Sequence, residues 1–230
     1  SSMKKGESII DTIKTIQSMI VDLLIVRHSD SGVMDFISRN TGLPIINAGD
    51  GKHQHPTQAL LDLYTIKKAF VDFKGLKVSI VGDIINSRVA RSDMLLFKKM
   101  GMDVTLVSSS MLLPENLDYF GVNVRNNIDD IIETADVLYM LRMQLERQDR
   151  KYYPSINEYN RFLCLDFKRL QSMKQGAIVM HPGPVNRGTE ISEAVMNSED
   201  MMKQKIKINE QVRNGVAARM ALIYLILTTG

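Results

Sequence analysis

Apolar and amphipathic segments alternate along most of the chain. Residues 7–19 have the apolar spacing of a helix, and residues 22–27 form a continuous apolar run typical of a buried parallel strand. The same order then repeats. The pattern predicts further helices at 32–39, 56–70, 88–100, 128–134 and 209–227, and further strands at 43–48, 77–83, 103–107, 136–141 and 177–180. This order predicts an α/β fold with parallel sheets and right-handed crossovers.

We expect two such sheets, joined by the helix that Pro56 begins. The chain has 230 residues, 44% of them hydrophobic, which is enough for a substantial core. Its formal charge of +3 is too mild and too dispersed to indicate a nucleic-acid partner, but it is compatible with cationic pockets for small anions.

The longest apolar stretch, 220–227, is far shorter than the roughly 20 residues that cross a bilayer, and no signal peptide precedes the first strand. We therefore expect a soluble protein without a membrane partner. The single cysteine, Cys164, lies in an apolar run and is interpreted as a core residue, which fits a reducing, cytoplasmic setting.

The segment 47–58 is the most informative part of the chain. It runs from a strand through a glycine-broken polar turn into the helix begun by Pro56. His55 and Gln58 would then lie beside unpaired amides at the start of a helix, which suits a carbonyl or phosphate oxygen. An ordinary helix cap is the alternative that this segment alone leaves open.

Charged and hydrogen-bonding residues follow the predicted strands. Because ligands of parallel sheets bind at the carboxyl ends of strands, these residues predict a shared cleft for an anionic substrate. The guanidinium of Arg27 suits phosphate or carboxylate, although a salt bridge at the sheet edge is the commoner role. Arg88 lies in a first helical turn, where the helix dipole disfavours a cation, and this favours a functional role. Arg142 and Gln144 would point the same way in an extended chain and match an α-amino acid.

The last predicted strand ends in His181-Pro182-Gly183-Pro184. The two prolines predict a rigid extended turn whose carbonyls could accept hydrogen bonds from a substrate amine. Neither a metal site nor a dinucleotide site is predicted. The four histidines have no cysteine or carboxylate at ligand spacing, and Gly82 lacks the further glycines of a dinucleotide loop.

Four motifs in this order resemble those of the catalytic chain of the aspartate carbamoyltransferases. They are His-Pro-Thr-Gln at 55–58, Ser-Arg-Val-Ala-Arg-Ser at 87–92, Leu-Arg-Met-Gln at 141–144 and Met-His-Pro-Gly-Pro-Val-Asn-Arg-Gly at 180–188. The ornithine enzymes would be expected to show an Asp-Val-Trp-like block at 141–144 and His-Cys-Leu-Pro at 181–184. Neither occurs here.

The resemblance implies two parallel-sheet α/β domains. The carbamoyl phosphate domain would comprise 1–70, including the linking helix 56–70, together with 208–230, and the aspartate domain would comprise 71–207. The activity implied is transfer of the carbamoyl group from carbamoyl phosphate to the α-amine of L-aspartate, without a cofactor. Carbamoyl phosphate would be contacted by Arg27, His55, Gln58, Pro182 and Gly183.

Aspartate would be held by Arg88, Arg142, Gln144 and Lys5. Such enzymes are trimers with sites at the subunit boundaries, so Lys5 and Ser1 would reach the site of a neighbouring subunit. The catalytic residues implied are His55, Arg27 and Lys5. A regulatory or dihydroorotase-type partner remains open.

One departure from the family pattern concerns phosphate binding. The Ser-Thr-Arg-Thr block expected upstream of Lys5 is absent, and the nearest match, at 38–41, falls late in a predicted helix. We therefore expect the carbamoyl phosphate domain to be incomplete and the activity of this chain alone to be impaired. The alternatives are a non-catalytic paralogue that keeps the fold, or a transcarbamoylase for a different amino acid.

Overall fold

The computed structural model describes residues 9–143, 156–198 and 204–229. They form an α/β fold with two parallel sheets, as the sequence predicts. The described strands are Leu24–His28 (β1), Ile45–Asp50 (β2), Lys77–Val81 (β3), Asp103–Val107 (β4), Asn123–Arg125 (β5), Val137–Met140 (β6) and Ile178–Met180 (β7). The described helices are Ile9–Gln17 (α1), Val33–Thr41 (α2), Pro56–Ala69 (α3), Arg88–Lys99 (α4), Ile156–Leu163 (α5), Phe167–Ser172 (α6), Glu193–Met196 (α7) and Ile208–Thr229 (α8).

The larger sheet has the strand order β5-β4-β3-β6-β7, and every neighbouring pair is parallel. Apolar residues cover both of its faces. Val78 and Ile80 pack with α4 on one face, whereas Leu138 and Met140 pack with α5 and α6 on the other. This burial on two sides explains why its central strands β3 and β6 are mostly apolar in the sequence.

The smaller sheet pairs β1 with β2 in parallel. Its apolar cluster joins Leu24 to side chains of α1 and α2, among them Ile13 and Ile37. Helix α3 leads from β2 to the larger sheet, and it packs against both α4 and the long α8. Residues on either side of α3 are thereby brought to one cleft.

The structure departs from the predicted elements in several places. The helix predicted at 128–134 is only a 3-10 turn at Ile128–Asp130 followed by hydrogen-bonded turns. Strand β5 and helices α5, α6 and α7 were not predicted, since each has eight residues or fewer and gives only a short pattern.

Cys164 is buried, as predicted, and burial raises the pKa of its thiol to about 11. None of the helices in the described ranges combines the length and the apolar character that a membrane span requires.

Candidate active site

A cleft of about 340 Å³ opens where β1, β3, β6 and β7 end. It brings together most of the residues singled out from the sequence, from both sheets and from α3. Its lining consists of Arg27, His55, Gln58, Ser87, Arg88, Val89, Arg142, Pro182, Gly183 and Pro184. The predicted convergence of the strand ends is therefore observed.

The loop between β2 and α3 is organised by Asp50, which is fully buried. Its carboxylate accepts hydrogen bonds from the Gly32 amide at 2.8 Å, Asn47 Nδ2 at 2.9 Å and the Gln54 amide at 3.1 Å, and it lies 2.9 Å from His53 Nδ1. Burial alone would raise the pKa of Asp50, but these hydrogen bonds outweigh it and lower the pKa. Sequence reasoning missed this residue, although a short acid between two glycines is a recognisable turn signal.

His55 is the last residue before α3 and faces the cleft. Its backbone amide donates to Ser92 Oγ at 2.8 Å, and its Nδ1 lies 3.3 Å from Thr57 Oγ1. Burial, together with the positive charge of nearby arginines, Arg88 foremost, lowers the pKa of His55 to about 4. The ring is therefore neutral at physiological pH and keeps one N–H group for donation.

Arg88 begins α4 and is almost fully buried. Ser87 caps this helix by accepting a hydrogen bond from the Ala90 amide at 3.1 Å. The guanidinium lies against the β2–α3 loop, with Nη1 3.5 Å from the Gly51 carbonyl. A Cβ added at Gly49 would come within 2.6 Å of Arg88 Cζ, so glycine there makes room for the arginine.

Glu190 links the segments that follow β6 and β7 through hydrogen bonds to both. This fully buried acid accepts from the Met143 amide at 2.7 Å and, through its two oxygens, from Asn186 Nδ2 at 2.8 Å and the Asn186 amide at 2.9 Å. Arg142 immediately precedes Met143. The backbone that carries this arginine is therefore fixed to the loop after His181, a role that sequence reasoning did not assign to Glu190.

His181 is 1% exposed and ends β7. Its Nδ1 accepts from the Gly183 amide at 2.9 Å, and its backbone amide donates to Gln211 Oε1 at 2.8 Å. Burial, and then the charge of Arg142, lowers the pKa of His181 to about 3. The neutral ring thus supports the turn from inside, and Pro182 and Gly183 form the surface that faces the cleft.

Three predicted site residues, Ser1, Lys5 and Gln144, lie outside the described residues. The Ser-Arg-Asn-Thr near match at 38–41 lies at the end of α2, as expected. In the described ranges no group of three or more histidine, cysteine, aspartate or glutamate side chains converges on a point where a metal ion could bind.

The profile of the aspartate/ornithine carbamoyltransferase Asp/Orn binding domain matches residues 74–226, and the profile of the carbamoyl-P binding domain of the same enzymes matches residues 1–68. The chain therefore belongs to the aspartate/ornithine carbamoyltransferase family.

Within this family, the chain is similar to individual aspartate carbamoyltransferases. The chain is 49% identical to the aspartate carbamoyltransferase catalytic subunit of Ruminiclostridium cellulolyticum over 230 residues, which are 100% of this chain and 72% of that protein. It is also 49% identical to that of Acetivibrio thermocellus, over 98% of this chain and 71% of that protein.

Among solved structures, it is similar to aspartate transcarbamoylase from Trypanosoma cruzi in complex with N-(phosphonacetyl)-L-aspartic acid. The TM-score is 0.85 at 30% identity, covering 99% of this chain and 73% of that one. The TM-score is also 0.85 for the structure of the T. cruzi enzyme in complex with carbamoyl phosphate and aspartate.

Proposed function

We propose that this protein transfers the carbamoyl group of carbamoyl phosphate to the α-amine of L-aspartate, giving N-carbamoyl-L-aspartate and phosphate. One observation carries the proposal: among the described residues, Arg27, Arg88 and Arg142 line a single cleft together with His55, whose imidazole is neutral. Both substrates are anions, and guanidinium groups bind carboxylates and phosphates through paired hydrogen bonds. The names of the relatives, aspartate carbamoyltransferase in each case, support aspartate as the acceptor.

Carbamoyl phosphate would lie against Arg27, His55 and Gln58, with Pro182 and Gly183 on its other side. Arg27 and the N–H group of His55 would polarise the carbonyl oxygen and stabilise the negative charge that develops there. Preorganised donors of this kind contribute to catalysis because they do not have to reorient during the reaction. A neutral His55, with its pKa of about 4, is suited to donating a hydrogen bond and is a poor base.

Aspartate would be held by Arg88 and Arg142, with Gln144 and Lys5 as further contacts. Its neutral amine attacks the carbamoyl carbon, a C–N bond forms, and the C–O bond to phosphate breaks. The departing phosphate takes the amine proton, so the step needs no protein base. Holding two anions side by side in one cleft supplies much of the rate enhancement.

The proposed assembly is a homotrimer in the cytoplasm, in which Ser1 and Lys5 of one subunit reach the site of the next. Residues 1–70 and 208–230 would form the carbamoyl phosphate domain, and 71–207 the aspartate domain. Packing of α8 against α3 supports grouping 208–230 with the first segment, although the profile of the Asp/Orn domain continues to residue 226.

The proposal is tested by incubating the full-length protein with carbamoyl phosphate and either aspartate or ornithine, and measuring the carbamoylated product. We expect product with aspartate and none with ornithine. Product only with ornithine would overturn the acceptor, and no product with either would overturn the transfer reaction. Light scattering on a sizing column tests the trimer, and an increase in Tm with N-(phosphonacetyl)-L-aspartic acid tests binding separately from turnover.

A further inference from the structure

A buried acid that no step above uses lies behind the cleft. Asp62, on α3, is fully buried between α3, α8 and β6. Its carboxylate accepts from Tyr139 Oη at 2.7 Å, from Gln211 Nε2 at 2.7 Å, and from Gln58 Nε2 at 3.2 Å to each oxygen. Three neutral donors from three elements thus converge on one carboxylate.

An ionised carboxylate can only accept hydrogen bonds, so Asp62 fixes how both glutamine amides are turned. The NH₂ group of Gln211 faces Asp62, and its carbonyl oxygen accepts from the His181 amide at 2.8 Å. The NH₂ group of Gln58 faces Asp62 in the same way, which leaves its carbonyl oxygen on the side of the cleft that Gln58 lines.

We propose that Asp62 is a positioning residue that holds the Gln58 carbonyl oxygen as a hydrogen-bond acceptor for the NH₂ group of carbamoyl phosphate. Through Gln211, the same carboxylate also supports the His181–Gly183 turn on the opposite side of that substrate. This inference rests on the proposed function. It concerns a residue that does not touch the substrate and acts only through Gln58 and Gln211.

The charge state of Asp62 agrees with this role. Asp93 lies beside it, also fully buried, and burial followed by the negative charge of Asp62 raises the pKa of Asp93 well above its usual range. Burial likewise raises the pKa of Asp62, to about 6, but the three donors oppose that rise. Of the two acids, Asp93 therefore holds a proton more readily, and Asp62 is the partner that ionises first and accepts.

A purely structural role, holding α3 to α8, is the competing explanation. The same helix pair offers a matched control, because Asn214 Nδ2 donates to buried Thr65 Oγ1 at 2.9 Å about one turn from Asp62. Neither residue lines the cleft. Thr65→Val removes a buried hydrogen bond between the same helices without touching Gln58 or Gln211.

The test is steady-state kinetics of the full-length protein with Asp62→Asn, Gln58→Ala, the double variant and Thr65→Val. Asp62→Asn places an NH₂ group among groups that themselves donate hydrogen bonds. The Gln58 side-chain amide can then rotate by 180° and exchange the places of its oxygen and nitrogen. We expect the KM for carbamoyl phosphate to rise at least tenfold, and the KM for aspartate to change less than threefold. In the Gln58→Ala background, Asp62→Asn should raise this KM by a clearly smaller factor than in the wild type, because only the route through Gln211 is then left. Thr65→Val should lower Tm and leave both KM values within twofold.

Unchanged kinetics in Asp62→Asn, additive effects in the double variant, or an equal kinetic loss in Thr65→Val would each overturn the inference. If Asp62→Asn does not fold, Gln211→Met decides instead, with an expected rise of at least threefold in the KM for carbamoyl phosphate. An inactive wild type would refute the proposed function separately. A crystal structure of Asp62→Asn would then decide the positioning role, which is overturned if both glutamine amides keep their orientation.

Discussion

The two sheets bury their strands to different extents. In the larger sheet Val78, Ile80 and Val81 of β3 are all 0% exposed, with helices covering both faces. In the smaller sheet, the outer positions of β1 are open, and Ile25 is 58% exposed beside Leu24 at 7%. Segments with fewer buried apolar contacts open at lower free energy. We therefore expect the wall of the cleft formed by the larger sheet to be the rigid wall, and the wall that carries Arg27 to be the deformable wall.

This contrast matters for the proposed chemistry. Arg88, Arg142 and His181 follow strands of the densely packed sheet, so we expect their positions to be set before any ligand binds. Arg27 lies on the two-stranded sheet, whereas Pro182 and Gly183, which line the same cleft, follow a strand of the larger sheet. We expect the residues that contact aspartate to be preorganised. The residues that contact carbamoyl phosphate should depend more on how closely the smaller sheet approaches the larger one.

The largest expected effect is the loss of an arginine from the rigid wall. Arg142→Ala should lower kcat/KM for aspartate by about 10²–10³, the range for removal of one preorganised donor at a reacting centre. Arg142→Lys should recover only part of that loss, because an ammonium cannot form the paired contact. Arg27→Ala should instead lower kcat and raise the KM for carbamoyl phosphate, because Arg27 is proposed to contact the carbonyl oxygen of that substrate, and it should change the KM for aspartate less. Equal effects of both alanine variants on the kinetics of both substrates would contradict the assignment of aspartate to Arg142 and of carbamoyl phosphate to Arg27.

The difference in packing can be measured with a matched pair of leucines. Leu106 of β4 is 0% exposed and Leu24 of β1 is 7% exposed. Leu→Ala in a core costs about 2–5 kcal/mol, and the cost rises with the cavity that remains. We expect Leu106→Ala near the upper end and Leu24→Ala near the lower end, measured by urea unfolding. Hydrogen exchange should be faster at amides of β1 and β2 than at those of β3, and equal values would remove the contrast.

Sequence patterns predicted the elements that create the cleft because those elements carry local signals. Pro56 marks the first residue of α3, and the helix predicted from residue 88 begins there as α4, as the structure shows. The rule that ligands bind at the carboxyl ends of parallel strands then placed Arg27, Arg88 and Arg142 in one cleft. Whether each of them binds its proposed substrate remains a prediction.

The buried acids could not be predicted in this way. Asp62 looks like one polar residue of an amphipathic helix, and its partner Gln211 lies 149 positions away in the sequence. Glu190 follows a glycine turn, and its partner Met143 is 47 positions away. No local spacing signals such partners, since they meet only once α3, α8 and the larger sheet are assembled. The same holds for β5, a three-residue strand defined by pairing with β4.

Glu190 offers a test of how firmly the rigid wall is held. Glu190→Ala leaves the Met143 amide and the Asn186 amide without this acceptor, whereas Asn186 Nδ2 also donates to the Met143 carbonyl at 3.3 Å. A buried donor left unpaired costs about 1–3 kcal/mol, so we expect a loss of roughly 2–4 kcal/mol in the free energy of unfolding. The KM for aspartate should also rise, because Arg142 precedes Met143. A stability loss without a change in this KM would show that Glu190 supports the fold and not the arginine.

A smaller effect is expected from the protonation of His181. Its folded pKa of about 3 lies below the ordinary value of 6.5, so protons bind the unfolded chain more readily. The stability this histidine contributes is therefore complete above pH 6.5 and is lost as the pH falls from 6.5 towards 3. Between pH 7.5 and pH 5 the loss from this group is about 2 kcal/mol.

His181→Asn separates this effect from that of His55, whose folded pKa is about 4. The Oδ1 atom of asparagine can take the place of Nδ1 as acceptor for the Gly183 amide, but asparagine does not titrate. Urea unfolding of the variant at pH 7.5 and pH 5 should therefore show about 2 kcal/mol less pH dependence than the wild type. An unchanged slope would mean that the His181 ring becomes hydrated before the protein unfolds. The turn at the end of β7 would then belong with the deformable wall of the cleft rather than with the rigid one.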